Sequence, residues 1–162
     1  KNTVPERLLK ETDQPGRGLY IHNPTVTCIG VSIDEAYLIG EHMAHKVNKA
    51  KGPTVICIPM RGWGACDLPS ADKELGWAGP EAGPSWAADP ENPQWSLRSV
   101  RYVEALSKNI DKSKQNLEVI LIDKHMNEPV FAEFMAEILE EMLNGKWHKG
   151  SRTDSPYVIP FH

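Results

Sequence analysis

The side chains with most chemistry to offer stand just beyond two apolar runs. "TVICIPM" (54–60) is followed by Arg61, Gly62, Gly64 and Asp67, and "LEVILI" (117–122) by Asp123, His125 and Asn127. Histidine changes charge near neutral pH, so His125 is the candidate acid or base, with Asp123 or Asp67 as the carboxylate that orients it. Glycines at 62 and 64 allow the backbone to present amides to an anion. Arg61, Asp67 and Asn127 complete a candidate ligand-binding set with His22 and Asn23 of "YIHNP". Bland alternatives stand beside each: Asn127 as a helix N-cap, His125 as a surface residue, Asp67 and Asp123 as turn formers.

Other chemistries are weaker. The glycines lack the G-K-[ST] of a phosphate loop and the third glycine of a dinucleotide fingerprint. No serine occupies an elbow position in "GWGAC". A mixed set of His22, His125, Asp67 and Asp123 has the donor types for a metal, but no H-x-x-x-H pair supports one, and His42 and His45 in "HMAH" read as solvated. No metal ligand is assigned, and the cofactor is left unknown.

The elements that must position these residues follow from periodicity. "TVTCIGV" (25–31) reads as a strand. "SIDE" after it carries a capping box, Ser32 with Glu35, and opens a helix with Ala36, Ile39, Met43, Val47 and Ala50 on one face and Gly40 on the same face for a close approach to a sheet. A second strand spans 54–60, and a second helix runs from about Ser96 to Asn109, burying Leu97, Val100, Val103 and Leu106. A third strand over 117–122 precedes a helix whose stripe is Phe131, Phe134, Met135, Ile138, Leu139 and Met142. The alternation predicts an α/β fold: three layers, α/β/α, with a mostly parallel, Rossmann-like sheet and the candidate residues along its carboxyl edge. "GLYIH" offers a fourth strand. Between them lies a long Gly-, Pro- and Trp-rich loop, in which Trp77, Trp86 and Trp95 argue for packed structure.

The division along the chain is read as a linker from a missing upstream domain (1–17), an α/β domain (18–145) and a polar tail with aromatic anchors (146–162). With 162 residues, one core is expected. A net charge of −4 gives no attraction to nucleic acid or anionic membrane, and no apolar run is long enough to span a bilayer. Cys28, Cys57 and Cys66 follow no metal or redox spacing and read as core thiols of a cytoplasmic protein. A narrow sheet with exposed edges predicts a homo-oligomer.

The stretches "YIHNPTVTCI", "GEHMAHKVNKAKGPTVICIPMRGWGACD" and "DKHMNEPVFAEFMAEIL" together resemble the carboxyl-terminal domain of the tomato mosaic virus resistance protein-like, or Tm-1-like ATP-binding, family over about residues 18–145. The resemblance implies a two-domain α/β protein whose nucleotide-binding half lies upstream, with family positions at His22, Gly62, Asp67, His125, Asn127, Phe131 and Ala132. Gly30-Val31 and Gly64 stand where members carry Arg-Thr and Ser. Two functions follow as expectations: half of a small-molecule enzyme or binding protein taking an anionic or nucleotide-linked ligand, or a non-catalytic interaction module.

Overall fold

The computed structural model describes residues 17–162; the linker reading for 1–17 lies, apart from Arg17, outside the described residues. The elements are β1 (Leu19–Asn23), β2 (Val26–Ile29), α1 (Ile33–Val47), β3 (Thr54–Pro59), α2 (Leu97–Asn109), β4 (Leu117–Ile122), α3 (Pro129–Leu143) and β5 (Val158–Ile159). They form a small α/β domain with three helices and two sheets.

β3 and β4 pair in parallel without a register break, from Thr54 opposite Leu117 to Pro59 opposite Ile122. The side-chain period of two then sorts the core. Ile56, Ile58, Met60, Val119 and Leu121 join Tyr102 and Leu106 of α2 on one face, whereas Val55, Cys57, Ile120 and Ile122 meet Phe131, Phe134 and Ile138 of α3 on the other. Continuous apolar runs are what a strand covered on both faces requires. The tail supplies β5, antiparallel to β4 at Leu121 and Ile122 only. Pro160 follows, and a residue without an amide hydrogen cannot extend the ladder.

Residues 25–29 do not join that sheet, so the single parallel sheet expected from the sequence is replaced by two. β2 pairs antiparallel with β1, Leu19 opposite Ile29 and Tyr20 opposite Cys28. The cause is local. The Asn23 carboxamide oxygen accepts from the Thr25 amide, the Thr25 hydroxyl and the Val26 amide, and these bonds fold the chain back at once. In this hairpin Cys28 is exposed, so it is no core thiol. Cys57, inside β3, is one: burial pushes its thiol up to about 12.

The helices also differ from their sequence readings. The capping box forms, with Ser32 Oγ accepting from the Glu35 amide and Glu35 from the Ser32 amide. The buried stripe of α1, however, is Ala36, Gly40 and Ala44, while Ile39 is 45% exposed. Gly40 serves helix packing, not the sheet: a Cβ there would lie 2.6 Å from the Tyr102 carbonyl oxygen of α2. α2 accordingly buries Arg98, Ser99, Tyr102, Ala105 and Leu106, a face turned from the predicted one because it meets both the sheet and α1. In α3, Phe131, Phe134 and Ile138 are buried, but Met135 and Leu139 are 47% and 55% exposed. The predicted single stripe is therefore two, one inward and one outward. No helix among the described residues is long and apolar enough to cross a membrane.

Candidate functional site

Beyond their last ladder pair, the segments after β3 and β4 continue to bond. Met60 N donates to Ile122 O, Arg61 N to Lys124 O and Met126 N to Gly62 O, at 2.9, 3.2 and 3.0 Å. Gly62 makes this closure possible. Its φ is +135°, and a Cβ would meet the Asp67 carbonyl oxygen at 2.1 Å and His125 Cδ2 at 2.7 Å. His125, Gly62, Gly64 and Asp67 are thus brought together at the carboxyl edge, as the sequence reading proposed.

Their chemistry differs from that reading. His125 is 1% exposed, so it is no surface residue. Its Nδ1 accepts from the Asn127 amide at 3.1 Å, which places the proton on Nε2, 3.2 Å from the Gly64 carbonyl. Burial holds its pKa below the ordinary histidine value. A neutral ring with both nitrogens engaged supports the Gly64 turn.

Asp123 is turned elsewhere. Arg61 donates to it twice, at 2.9 and 2.8 Å, and the Trp95 indole donates at 2.9 Å. These bonds, those from Arg61 foremost, hold its carboxyl below the usual range. Arg61 and Asp123 form a pair of their own beside the His125 cluster. Asn127 is not the cap of α3; that position is Glu128. The Asn127 side chain donates instead to the Leu75 carbonyl. Glu128 accepts from the His125 amide at 2.9 Å and from Lys124 at 3.0 Å. The Glu128 side chain makes no capping bond to the α3 amides. His22 lies on the exposed hairpin with its ring 6.3 Å from Tyr20, and Asn23 is used in the turn.

The open space lies on the other side of Gly64. A cleft of about 360 Å³ is walled by Val31, Ile39, Trp63 and Tyr102, with Gly64, Ala65 and Cys66 along one side and the Asp67–Arg98 pair in its lining. Of the residues chosen from sequence, only Gly64 and Asp67 reach it. Asp67 is 2% exposed and accepts from the Trp63 amide, from Ser96 and from Arg98 Nη1, the last at 2.9 Å. Burial raises its pKa and Arg98 opposes the rise. Arg98 also donates to the carbonyls of Val31 and Ser85, so one guanidinium joins three segments that line the cleft. A cation in the first turn of a helix opposes the helix dipole; that misplacement was a readable sign of a nearby carboxylate.

The Gly64–Asp67 turn closes with Asp67 N donating to Gly64 O at 2.8 Å. The amides of Gly64, Ala65 and Cys66 find no acceptor among the described residues. Gly64 has nothing within 4 Å of a Cβ position, so the turn is open where it borders the cleft. Among the described residues no group of three metal-ligating side chains occurs.

Comparison with known proteins adds a likeness. Residues 1–76 match the C-terminal domain of an uncharacterised protein family, UPF0261. The likeness is to UPF0261. The chain is 30% identical to UPF0261 protein RA0729 of Rhizobium meliloti, over 88% of its own length and 29% of the relative's. It is 30% identical to UPF0261 protein mlr3387 of Mesorhizobium japonicum, over 86% and 28%, and 28% identical to a UPF0261 protein of Clostridium tetani, over 87% and 28%. The chain therefore spans less than a third of the length of these relatives, and the family model it resembles is that of a carboxyl-terminal domain. This corrects the Tm-1-like ATP-binding resemblance, which the short motifs suggested and the comparisons do not support.

Proposed function

We propose that this domain is the carboxyl-terminal part of a larger, two-domain small-molecule-binding protein, and that an anionic ligand sits in the cleft between α1, α2 and the loop after β3. The observation that carries the reading is the run of three amides without acceptors in an otherwise apolar cleft of about 360 Å³. That volume lies in the range of ordinary ligand pockets. Binding is favoured over catalysis because the reactive groups nearby are engaged: His125 on both nitrogens, Asp123 by Arg61 and Trp95, Asp67 by Arg98. The roles first given to His125 and Asp123 become positioning roles, His125 behind the Gly64 turn and Asp123 at the end of β4.

Thermal denaturation of the full-length protein with a panel of small anions tests this. A ligand at a hundredfold excess over its Kd stabilises by about 2.7 kcal/mol. The Ile39→Trp variant, which fills the cleft from the exposed side of α1, should lose that stabilisation. Equal shifts in both proteins, or none in either, would reject the site.

The interaction-module reading keeps one specific support, the outward stripe of α3. Met135, Leu139 and Leu143 are 47%, 55% and 79% exposed, at a spacing that places them on one face. A homo-oligomer through that face would show as a mass in light scattering that falls to the monomer in a Leu139→Glu variant.

A further inference from the structure

Resting on the cleft reading, we infer that the ligand class is a monocarboxylate with a short apolar body, in preference to a phosphate or a nucleotide. The cleft has donors without net charge. Its guanidinium, Arg98, is matched by Asp67 at 2.9 Å, with side chains 9% and 3% exposed. No lysine lines it. Burial pushes up the Cys66 thiol and the Tyr102 phenol, so both are neutral at ordinary pH.

A phosphate monoester would bring close to two negative charges to a place with no uncompensated cation, and burying unpaired charge is costly. A carboxylate brings one charge, spread over two oxygens, and three amides can satisfy it, since backbone donors to a carboxylate make strong charge-assisted bonds. The remaining walls, Val31, Ile39, Trp63 and Tyr102, are mainly apolar and aromatic, with the Tyr102 hydroxyl and Ser85 as the uncharged polar groups of the lining. They suit an aliphatic or aromatic tail better than a polyhydroxylated body. An alcohol of the same size would fill the same walls but return only one acceptor to three donors.

Isothermal titration of the full-length protein with butanoate, hexanoate, butyl phosphate and 1-butanol decides the class. The expected order is hexanoate over butanoate, with butanoate at least tenfold tighter than both butyl phosphate and 1-butanol. Ala65→Pro removes one amide at the second position of the Gly64–Asp67 turn, where proline is favoured. It should weaken butanoate five- to tenfold and leave 1-butanol unchanged. Butyl phosphate binding more tightly than butanoate, in a manner abolished by Ile39→Trp, would overturn the carboxylate class while keeping the site. Carboxylate binding that Ile39→Trp leaves intact would reject the site itself. If Ala65→Pro does not fold, the four-ligand order in the unaltered protein still settles the class, and no binding of either carboxylate at millimolar concentration overturns it.

Discussion

Replacing Arg98 by methionine tests the electrostatic core of the cleft. The substitution keeps an apolar stem of similar reach and removes the guanidinium. Asp67 would then be a buried carboxylate, 2% exposed, that retains only the Trp63 amide and the Ser96 hydroxyl. Breaking a buried pair by removing one partner costs about 3–5 kcal/mol. The carbonyls of Val31 and Ser85 lose a donor as well, and an unsatisfied buried acceptor costs about 1–3 kcal/mol. Because both have access to the rim of the cleft, water restores part of that, and the expected total is about 4–6 kcal/mol. Urea denaturation followed by tryptophan fluorescence measures it. The pH dependence is the sharper observable. Burial already raises the folded-state pKa of Asp67, against the opposition of Arg98. Without Arg98 the rise is larger. An acid whose folded pKa exceeds its unfolded value binds more protons when folded, so folding gains stability as pH falls through that folded pKa. The deficit of Arg98→Met against the native protein should therefore shrink as the pH falls towards the ordinary carboxylate range. In the double variant with Asp67→Asn, the two losses should fall short of their sum by at least about 2 kcal/mol. A loss under about 1 kcal/mol, or a deficit independent of pH, would refute the argument that this pair is a buried, coupled charge pair.

Four further outcomes are expected. His125 has a folded pKa below its usual 6.5 because of burial; as a base that must give up its proton to fold, it contributes stability that is complete above 6.5 and lost as pH falls below it, and a His125→Gln variant should flatten that part of the stability profile. Phe134, 1% exposed, should cost about 3–5 kcal/mol when truncated to alanine, measured by the same denaturation. Asp123→Asn should cost no more than about 1 kcal/mol, because the Arg61–Asp123 pair is about one-third exposed on both sides; a larger loss would mean that the pair locks the crest. Gly40→Val should destabilise by several times the effect of Gly64→Ala, since only the first Cβ meets a backbone atom, at 2.6 Å.

How much of this was legible varies residue by residue. β3 and β4 were readable because a strand buried on both faces must be apolar throughout, and the α1 cap because Ser32 and Glu35 have the reciprocal spacing. The partner of β2 was not: β-branched residues announce a strand but not what it pairs with, and Asn23 decided that through a turn. The stripe of α1 was misread for a different reason. Large apolar residues draw attention, but against another helix the small ones, Ala36, Gly40 and Ala44, are those that fit. At the carboxyl edge, His125, Gly62, Gly64 and Asp67 lie together while Asp123 and His22 do not join them, and reactivity in isolation does not say whether a nitrogen or a carboxylate has been used. His125 is occupied by Gly64 and the Asn127 amide, and Asp123 by Arg61. The cleft was hidden because its walls, Val31, Ile39, Trp63 and Tyr102, are unreactive and far apart in the chain.

The loop between the cleft and α2 has its two ends tied together. Gly83 N donates to Leu68 O and Ser85 N to Cys66 O, at 2.8 and 2.9 Å, and Gly83 is packed so closely that a Cβ would lie 2.3 Å from the Cys66 carbonyl oxygen. Everything between residues 68 and 83 hangs from that clasp as an Ω-shaped excursion. Lengthening such an excursion costs little in closure entropy, about 0.6 kcal/mol for each doubling. Changes of length within the excursion therefore cost the fold little in closure entropy, except around Leu75 and Gly76, where the chain holds Asn127 and packs on Ala65 of the cleft, whereas a change at Gly83 or Arg98 would be felt in the cleft at once.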